Sequence, residues 1–298
     1  MRPATVLLFC LLSAATASGQ THTAPAAARA VPYGHNTAAG RTFTHHGVKL
    51  YYEVYGAGEP LLLVHGNGGS IADFRAQIDY FRKRYKVIAM DSRDQGQSAD
   101  SPDPITYEKM TDDLAALIDL LHIGPVNVLG WSDGGIEALM LGIHPPALVK
   151  KLVAMAANLN PTDQAVRPEV LTLVKGMVDA MPAGDANPQV RRGRKVTAMM
   201  LDEPHIDVTA LERIAAPTLV MAADHDLIRL EHIVDIFNHV PNSQLVILPN
   251  ATHLVPFDDP AAFNAAADRF LRASFVKKDL VNDTMKSLER LRTSQKPQ

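Results

Sequence analysis

An open, mostly parallel α/β sheet covered by helices on both faces is predicted by two features of the sequence: a series of short unbroken apolar runs, and helical patterns spaced between most of them. A strand buried on both faces has no polar side to present, so it reads as continuous hydrophobic residues rather than as an alternation. Leu61–Val64, Val87–Met90, Val126–Leu129, Leu152–Met155, Leu219–Ala222 and Leu245–Leu248 are such runs. The intervening helical segments are Ala72–Phe81, Tyr107–His122, Ile136–Ile143, His232–Phe237 and Ala261–Leu271. One interval departs from this rhythm. Asn158 to Ile214 has no strand pattern but two helical ones, Glu169–Met181 and Gln189–Leu201, and is read as a small helical cap over the strand ends.

At the N-terminus, Arg2 is followed by the apolar stretch Val6–Ala17 and the small residues Ala17-Ser18-Gly19, the pattern of an export signal cleaved before Gln20. This predicts a periplasmic or extracellular protein. The apolar stretch is too short to span a bilayer, and no other run reaches the ~18–20 residues that a transmembrane helix needs, so no integral membrane association is expected. Cys10, the single cysteine, lies inside the signal, so the processed chain would have neither a disulfide nor a thiol nucleophile. Residues 20–41, rich in Ala, Thr and Pro, read as a flexible leader with order beginning near Arg41. Thr42–Tyr55 alternates around His46-Gly47 and predicts an antiparallel hairpin at a sheet edge. The domain proper is placed at 42–276, with the cap at about 158–214 and a charged tail at 277–298 that forms at most one surface helix.

The 298 residues are 47% hydrophobic and 20% charged, enough for a substantial core. The net charge of −3 lacks the clustered excess of Lys and Arg that a dedicated nucleic-acid binder needs.

Gly130-Trp131-Ser132-Asp133-Gly134-Gly135 joins an apolar run to a helical segment. A G-x-S-x-G stretch in that context is a nucleophile elbow: the serine is held in a strained turn, and strand and helix crowd so closely that only glycine fits two positions to either side. A serine hydroxyl needs a base to take its proton and an acid to orient that base. His253 follows the Leu245–Leu248 run, and Asp226 follows the Leu219–Ala222 run, both at ends of late strands. Asp224 competes with Asp226 for the acid. His65-Gly66-Asn67-Gly68-Gly69, after the first run, can turn backbone N–H groups toward a tetrahedral oxyanion; the N–H groups of Asn67 and Asp133 are the chosen pair.

In these motifs, from about residue 42 to 272, the chain resembles the α/β-hydrolase superfamily, with Ser132, Asp226 and His253 in the usual order. Asp91-Ser92-Arg93-Asp94-Gln95-Gly96-Gln97-Ser98 is similar to the family's D-x-R-G-x-G-x-S loop, with Asp94 where glycine is usual, which puts the local turn in question. Asp226 stands three residues after Ala223, resembling the family's G-x-x-D spacing, which favours it over Asp224. A serine at the elbow disfavours the epoxide hydrolases and haloalkane dehalogenases of this superfamily, which use aspartate there.

The resemblance implies a serine hydrolase of carboxylic esters with no cofactor, acting on a small-molecule ester or amide. A proline-iminopeptidase-like amidase, a carbon–carbon bond hydrolase and a small-molecule-binding protein with little turnover are the rival readings. The elbow is similar to that of biphenyl-hydrolase-like enzymes that cleave α-amino acid esters, in which the acid beside the nucleophile receives the substrate ammonium. Asp133 is thereby assigned to substrate binding, although an acid opening a helix is also favoured by the dipole alone. Gly68 and Trp131, the only tryptophan, are placed with it in the substrate pocket, core packing being the alternative for Trp131. His225, His232 and His239 lack the close spacing of a helical zinc site, so no catalytic metal is expected. His65 is read as a brace for the oxyanion loop. The cap cluster Arg191-Arg192-Gly193-Arg194-Lys195 is either a solvated face or an attractor of anions, and Met177, Met181, Met199 and Met200 are read as cap packing.

Overall fold

Eight strands form one sheet in the order β1-β2-β4-β3-β5-β6-β7-β8, seen in a computed structural model that describes residues 31–144 and 148–294. The expected export signal and the first half of the leader, residues 20–30, lie outside the described residues. Each apolar run is a strand: β3 (Glu59–Val64), β4 (Tyr85–Asp91), β5 (Val126–Trp131), β6 (Val149–Met155), β7 (Thr218–His225) and β8 (Ser243–Thr252). All pair in parallel. β1 (Gly40–His45) and β2 (Val48–Tyr55) form the expected hairpin, turning at His46-Gly47, and β2 pairs antiparallel with β4. Leu61 to Val64 and Val126 to Leu129 are fully buried, as strands between two helical layers must be.

The helices are α1 (Arg75–Phe81), α2 (Tyr107–Leu121), α3 (Asp133–Ile143), α4 (Pro168–Ala180), α5 (Pro188–Asp202), α6 (Leu230–His239), α7 (Val255–Asp258), α8 (Pro260–Arg272) and α9 (Leu280–Ser294). α4 and α5 occupy the interval read as the cap, each opened by a proline at its first turn, where the missing N–H costs nothing. α9 occupies the tail. No helix among the described residues is long and apolar enough to cross a membrane.

The expectation of a flexible leader to residue 41 is corrected over its described part. Tyr33 is buried, and its hydroxyl donates to Asp79 at 2.6 Å. The cause lies on β2, where the buried Glu53 carboxylate accepts from the backbone N–H groups of Gly34 and Asn36 at 2.9 and 2.8 Å and from the hydroxyls of Tyr51 and Tyr55. A buried carboxylate left unpaired would be far costlier than ordering this short segment against it.

The chain runs from β3 to β4 on one side and then returns to place β5 on the other. At such a topological switch point the loops leaving the two central strands diverge and open a crevice at their carboxyl ends. The loops in question are His65–Gly69 and the turn at Ser132.

Candidate active site

Ser132 has φ +59° and ψ −121°, a strained conformation that surrounding contacts must hold in place. Its N–H donates to the Met155 carbonyl at 2.8 Å, and its carbonyl accepts from Gly135 and Ile136, which fastens the turn to β6 and to α3. A Cβ on Gly130 would lie 1.9 Å from the Gly134 oxygen, and one on Gly134 would lie 2.0 Å from the Val64 oxygen. The two glycines are thus steric requirements of the elbow.

The imidazole of His253 stands between the two other residues assigned to the chemistry. Its Nε2 is 2.9 Å from Ser132 Oγ, and its Nδ1 is 2.7 Å from Asp226 Oδ1. Asp226 is 1% exposed, and its carboxylate also accepts from the backbone N–H groups of Ala223 and Ile228. Asp226 accepts at Nδ1, so the ring carries its proton there and presents the Nε2 lone pair to the serine. Asp224 instead anchors the neighbouring loop. Its oxygens accept from Asn250 N–H at 2.8 Å and Ala251 N–H at 3.0 Å, tying the end of β8 to the acid loop, and these bonds depress its pKa.

His65 braces the loop after β3. Its Nε2 accepts from Ser92 N–H at 3.0 Å, which fixes the proton on Nδ1, and Nδ1 donates to the Gly66 carbonyl at 2.8 Å. The Asp133 N–H opens α3 and has no partner within the helix, the ordinary condition of a first-turn amide. Gly68, expected in the substrate pocket, sits at φ +66° with its N–H given to Gln95 Oε1 at 2.7 Å, so it shapes the loop instead. Trp131 is corrected likewise: it is buried, its Nε1 donates to the His253 carbonyl at 2.8 Å, and its ring packs edge-on to Phe257. It supports the histidine from behind and does not line the cavity.

That cavity, of about 70 Å³, is bordered by Ser132, Asp133 and His253 from the core and by Val170, Val174 and Met200 from the cap. It is small beside the ~300–1,000 Å³ of common ligand pockets, so compact groups fit best. Three further polar residues that no sequence motif marks, Tyr107, Asn158 and Glu203, also border it. Tyr107 donates its hydroxyl to Asp133 Oδ1 at 2.8 Å, while Asn67 Nδ2 donates to Asp133 Oδ2 at 2.8 Å and to the Val196 carbonyl at 3.0 Å. Burial pushes the Asp133 carboxyl above its ordinary range and these two donors pull it back. Behind it, Glu137 is buried with neither oxygen bonded, and desolvation raises its pKa well above the usual carboxylate value.

The loop after β4 joins these parts. Asp94 adopts φ +62°, the conformation that glycine would take, and its Oδ1 accepts from Ser101 N–H at 3.1 Å and from Lys195 Nζ of the cap at 2.8 Å. The departure from glycine is therefore accommodated in the same turn, and it adds a tie to α5. The other cap cations are also engaged: Arg191 donates to the Asp185 and Ala186 carbonyls, Arg194 to those of Val178 and Met181, and Arg192 pairs with Asp100. The cluster holds the cap together instead of facing freely into solvent. Of the four cap methionines, Met199 is buried, Met200 lines the cavity and Met177 is 41% exposed. His232 accepts from Leu159 N–H, His225 pairs with Asp224 and His239 with Asp235, so these three do not converge.

The profile of the alpha/beta hydrolase fold family matches residues 59–205. A relative from Caulobacter sp. (strain K31), named "Putative carbamate hydrolase RutD", is 30% identical over 259 residues, covering 74% of this chain and 95% of that protein. The human protein named serine hydrolase BPHL is 28% identical over 254 residues, covering 76% of this chain and 84% of its own. Among solved structures, a hydrolase from Pseudomonas aeruginosa PA01 superposes with a TM-score of 0.68 at 25% identity, over 80% of this chain and all of that one. By sequence and by fold, the chain belongs to the α/β-hydrolase superfamily.

Proposed function

We propose that this hydrolase cleaves carboxylic esters of compact acyl groups through a covalent acyl-enzyme, with Ser132 as nucleophile, His253 as base and Asp226 as the acid that orients it. The observation that carries the reading is the unbroken hydrogen-bonded line from Asp226 through His253 to Ser132, with contacts of 2.7 and 2.9 Å. Ser132 Oγ attacks the carbonyl carbon as its proton passes to His253 Nε2. The oxyanion is held by the Asn67 and Asp133 N–H groups, and His253 returns the proton to the leaving alcohol. Water then attacks the acyl-enzyme by the same relay in reverse. A turnover screen of wild type and Ser132→Ala across neutral esters, aminoacyl esters and aminoacyl anilides tests this. The expected result is ester turnover that the alanine variant lacks; preferential anilide cleavage would favour the amidase reading instead.

Asp133 narrows the substrate class within this proposal. A carboxylate bordering the cavity beside the nucleophile, held by Tyr107 and Asn67 and disfavoured in its charged form by burial, is well suited to an α-ammonium group, which would restore the electrostatic balance lost on desolvation. Asp133→Ala is expected to raise KM for an aminoacyl ester far more than for a neutral ester of equal size, and equal effects on both would reject the assignment. Export belongs to the same proposal, resting on the Arg2, Val6–Ala17 and Ala17-Ser18-Gly19 pattern. The mass of the exported protein should correspond to a chain beginning at Gln20; an intact Met1 in that fraction counts against it.

A further inference from the structure

We infer that His45, His46 and Asp112 form a binding site for one divalent transition-metal ion of the zinc type, separate from the serine's site. The three side chains come from two elements far apart in sequence, the hairpin turn that ends β1 and the middle of α2. His46 Nε2 lies 3.0 Å from Asp112 Oδ2, and His45 Nε2 lies 3.8 Å from the same oxygen. One donor atom from each of the three residues lies within 4.8 Å of the others. A tetrahedral ion with bonds of ~2.0–2.2 Å holds its donors about 3.4 Å apart, a value that the two measured separations bracket.

His45 is also held through its other ring nitrogen. Its Nδ1 is 2.9 Å from Asp113 Oδ1. Asp113 is fully buried and receives both Nε and Nη2 of the buried Arg93, each at 2.7 Å. With guanidinium donors fixing Asp113 as an acceptor, Nδ1 of His45 is the protonated nitrogen, which leaves the lone pair on Nε2, the atom that lies 3.8 Å from Asp112 Oδ2. Carboxylate, histidine and metal in line is the arrangement by which proteins orient and strengthen a ligating imidazole. Here the line is built as far as the lone pair. Two imidazoles and one carboxylate suit zinc and its neighbours rather than calcium or magnesium, which take oxygen donors. His46 and Asp112 border an open cleft of about 890 Å³, so water reaches the remaining coordination position. The ion would pin the hairpin turn to α2, the helix whose first residue, Tyr107, donates to Asp133.

The test uses the untagged full chain titrated with Zn²⁺ by calorimetry and with Co²⁺ by visible absorption. Wild type is expected to bind one equivalent, to show the ligand-field bands of a low-symmetry Co²⁺ site, and to gain thermal stability, since only the folded chain brings the three residues together. His46→Ala changes a largely exposed side chain, so folding and basal ester turnover should persist, while Zn²⁺ affinity should fall more than tenfold. Asp112→Asn should act in the same direction, and His225→Ala or His239→Ala should leave binding unchanged. Absence of a stoichiometric site in wild type, or binding that survives both His46→Ala and Asp112→Asn, overturns the inference. Neither result bears on the serine chemistry, which is read separately by ester turnover.

Discussion

Gly134 is the position where a single methyl group most directly separates the two halves of the site. Its missing Cβ would lie 2.0 Å from the Val64 oxygen and 2.8 Å from the His65 oxygen, both backbone atoms that no rotamer change can move. A comfortable C···O contact is ~3.3 Å, so Gly134→Ala must drive α3 and the end of β3 apart by about 1.3 Å between them. α3 carries the Ser132 turn and the Asp133 N–H; β3 leads into the Asn67 N–H. The Ser132 hydroxyl and the Asp133 N–H therefore move relative to the Asn67 N–H, the other donor of the proposed oxyanion hole. Misplacement on this scale costs on the order of 10²-fold in rate, and overpacking against backbone costs about 1–3 kcal/mol of stability. The assay is kcat for p-nitrophenyl acetate together with Tm. Gly176→Ala is the matched control, because nothing lies within 4 Å of its Cβ position, and removing a glycine from the interior of α4 should stabilise by about 0.5–1 kcal/mol. A Gly134→Ala enzyme with wild-type kcat and Tm would falsify the steric account of the elbow.

Asp226→Asn should reduce kcat by about 10⁴-fold by presenting the wrong tautomer of His253, whereas Asp224→Asn, which alters the ties to Asn250, Ala251 and His225, should retain most of the activity. Glu137 ionises near pH 4.5 when unfolded but holds its proton to higher pH when buried. The folded state thus binds more protons than the unfolded one as pH rises above that value, and stability falls. Glu137→Gln removes this loss, so its gain in Tm should be larger at pH 8 than at pH 4, and a pH-independent difference would contradict the reasoning. Lys195→Met should destabilise by about 1–3 kcal/mol because it leaves the buried Asp94 without its cation. Adding Asp94→Gly, which removes the stranded charge and suits φ +62°, should recover part of that loss in urea unfolding.

What the sequence made legible was what its local physics requires. Gly130 and Gly134 are demanded by a close approach within a few residues, and the strands announce themselves because a doubly covered strand cannot afford polar residues. Asp226 and His253 were placed by chain order along the sheet, and His253 lies within hydrogen-bonding distance of both Asp226 and Ser132. Residues whose roles depend on partners far along the chain were not legible. Tyr107 reads as an ordinary first-turn aromatic of α2 until the fold sets its hydroxyl on Asp133, 26 residues away in sequence. Lys195 reads as one charge in a basic run, yet it meets Asp94 across 101 residues. Trp131 adjoins Ser132 in sequence, but alternation along β5 turns its ring away from the cavity and toward His253's backbone. The segment from Pro32 looked too polar to pack because its partner is a buried carboxylate, Glu53, rather than an apolar surface.

Intact-mass and peptide-mapping measurement after a fluorophosphonate reaction tests the central claim most directly. Wild type should gain a single adduct, located on Ser132, with loss of ester turnover in step with labelling, and Ser132→Ala should show neither adduct nor turnover. Labelling at another residue, or hydrolysis sustained by the Ser132→Ala protein, would contradict the account.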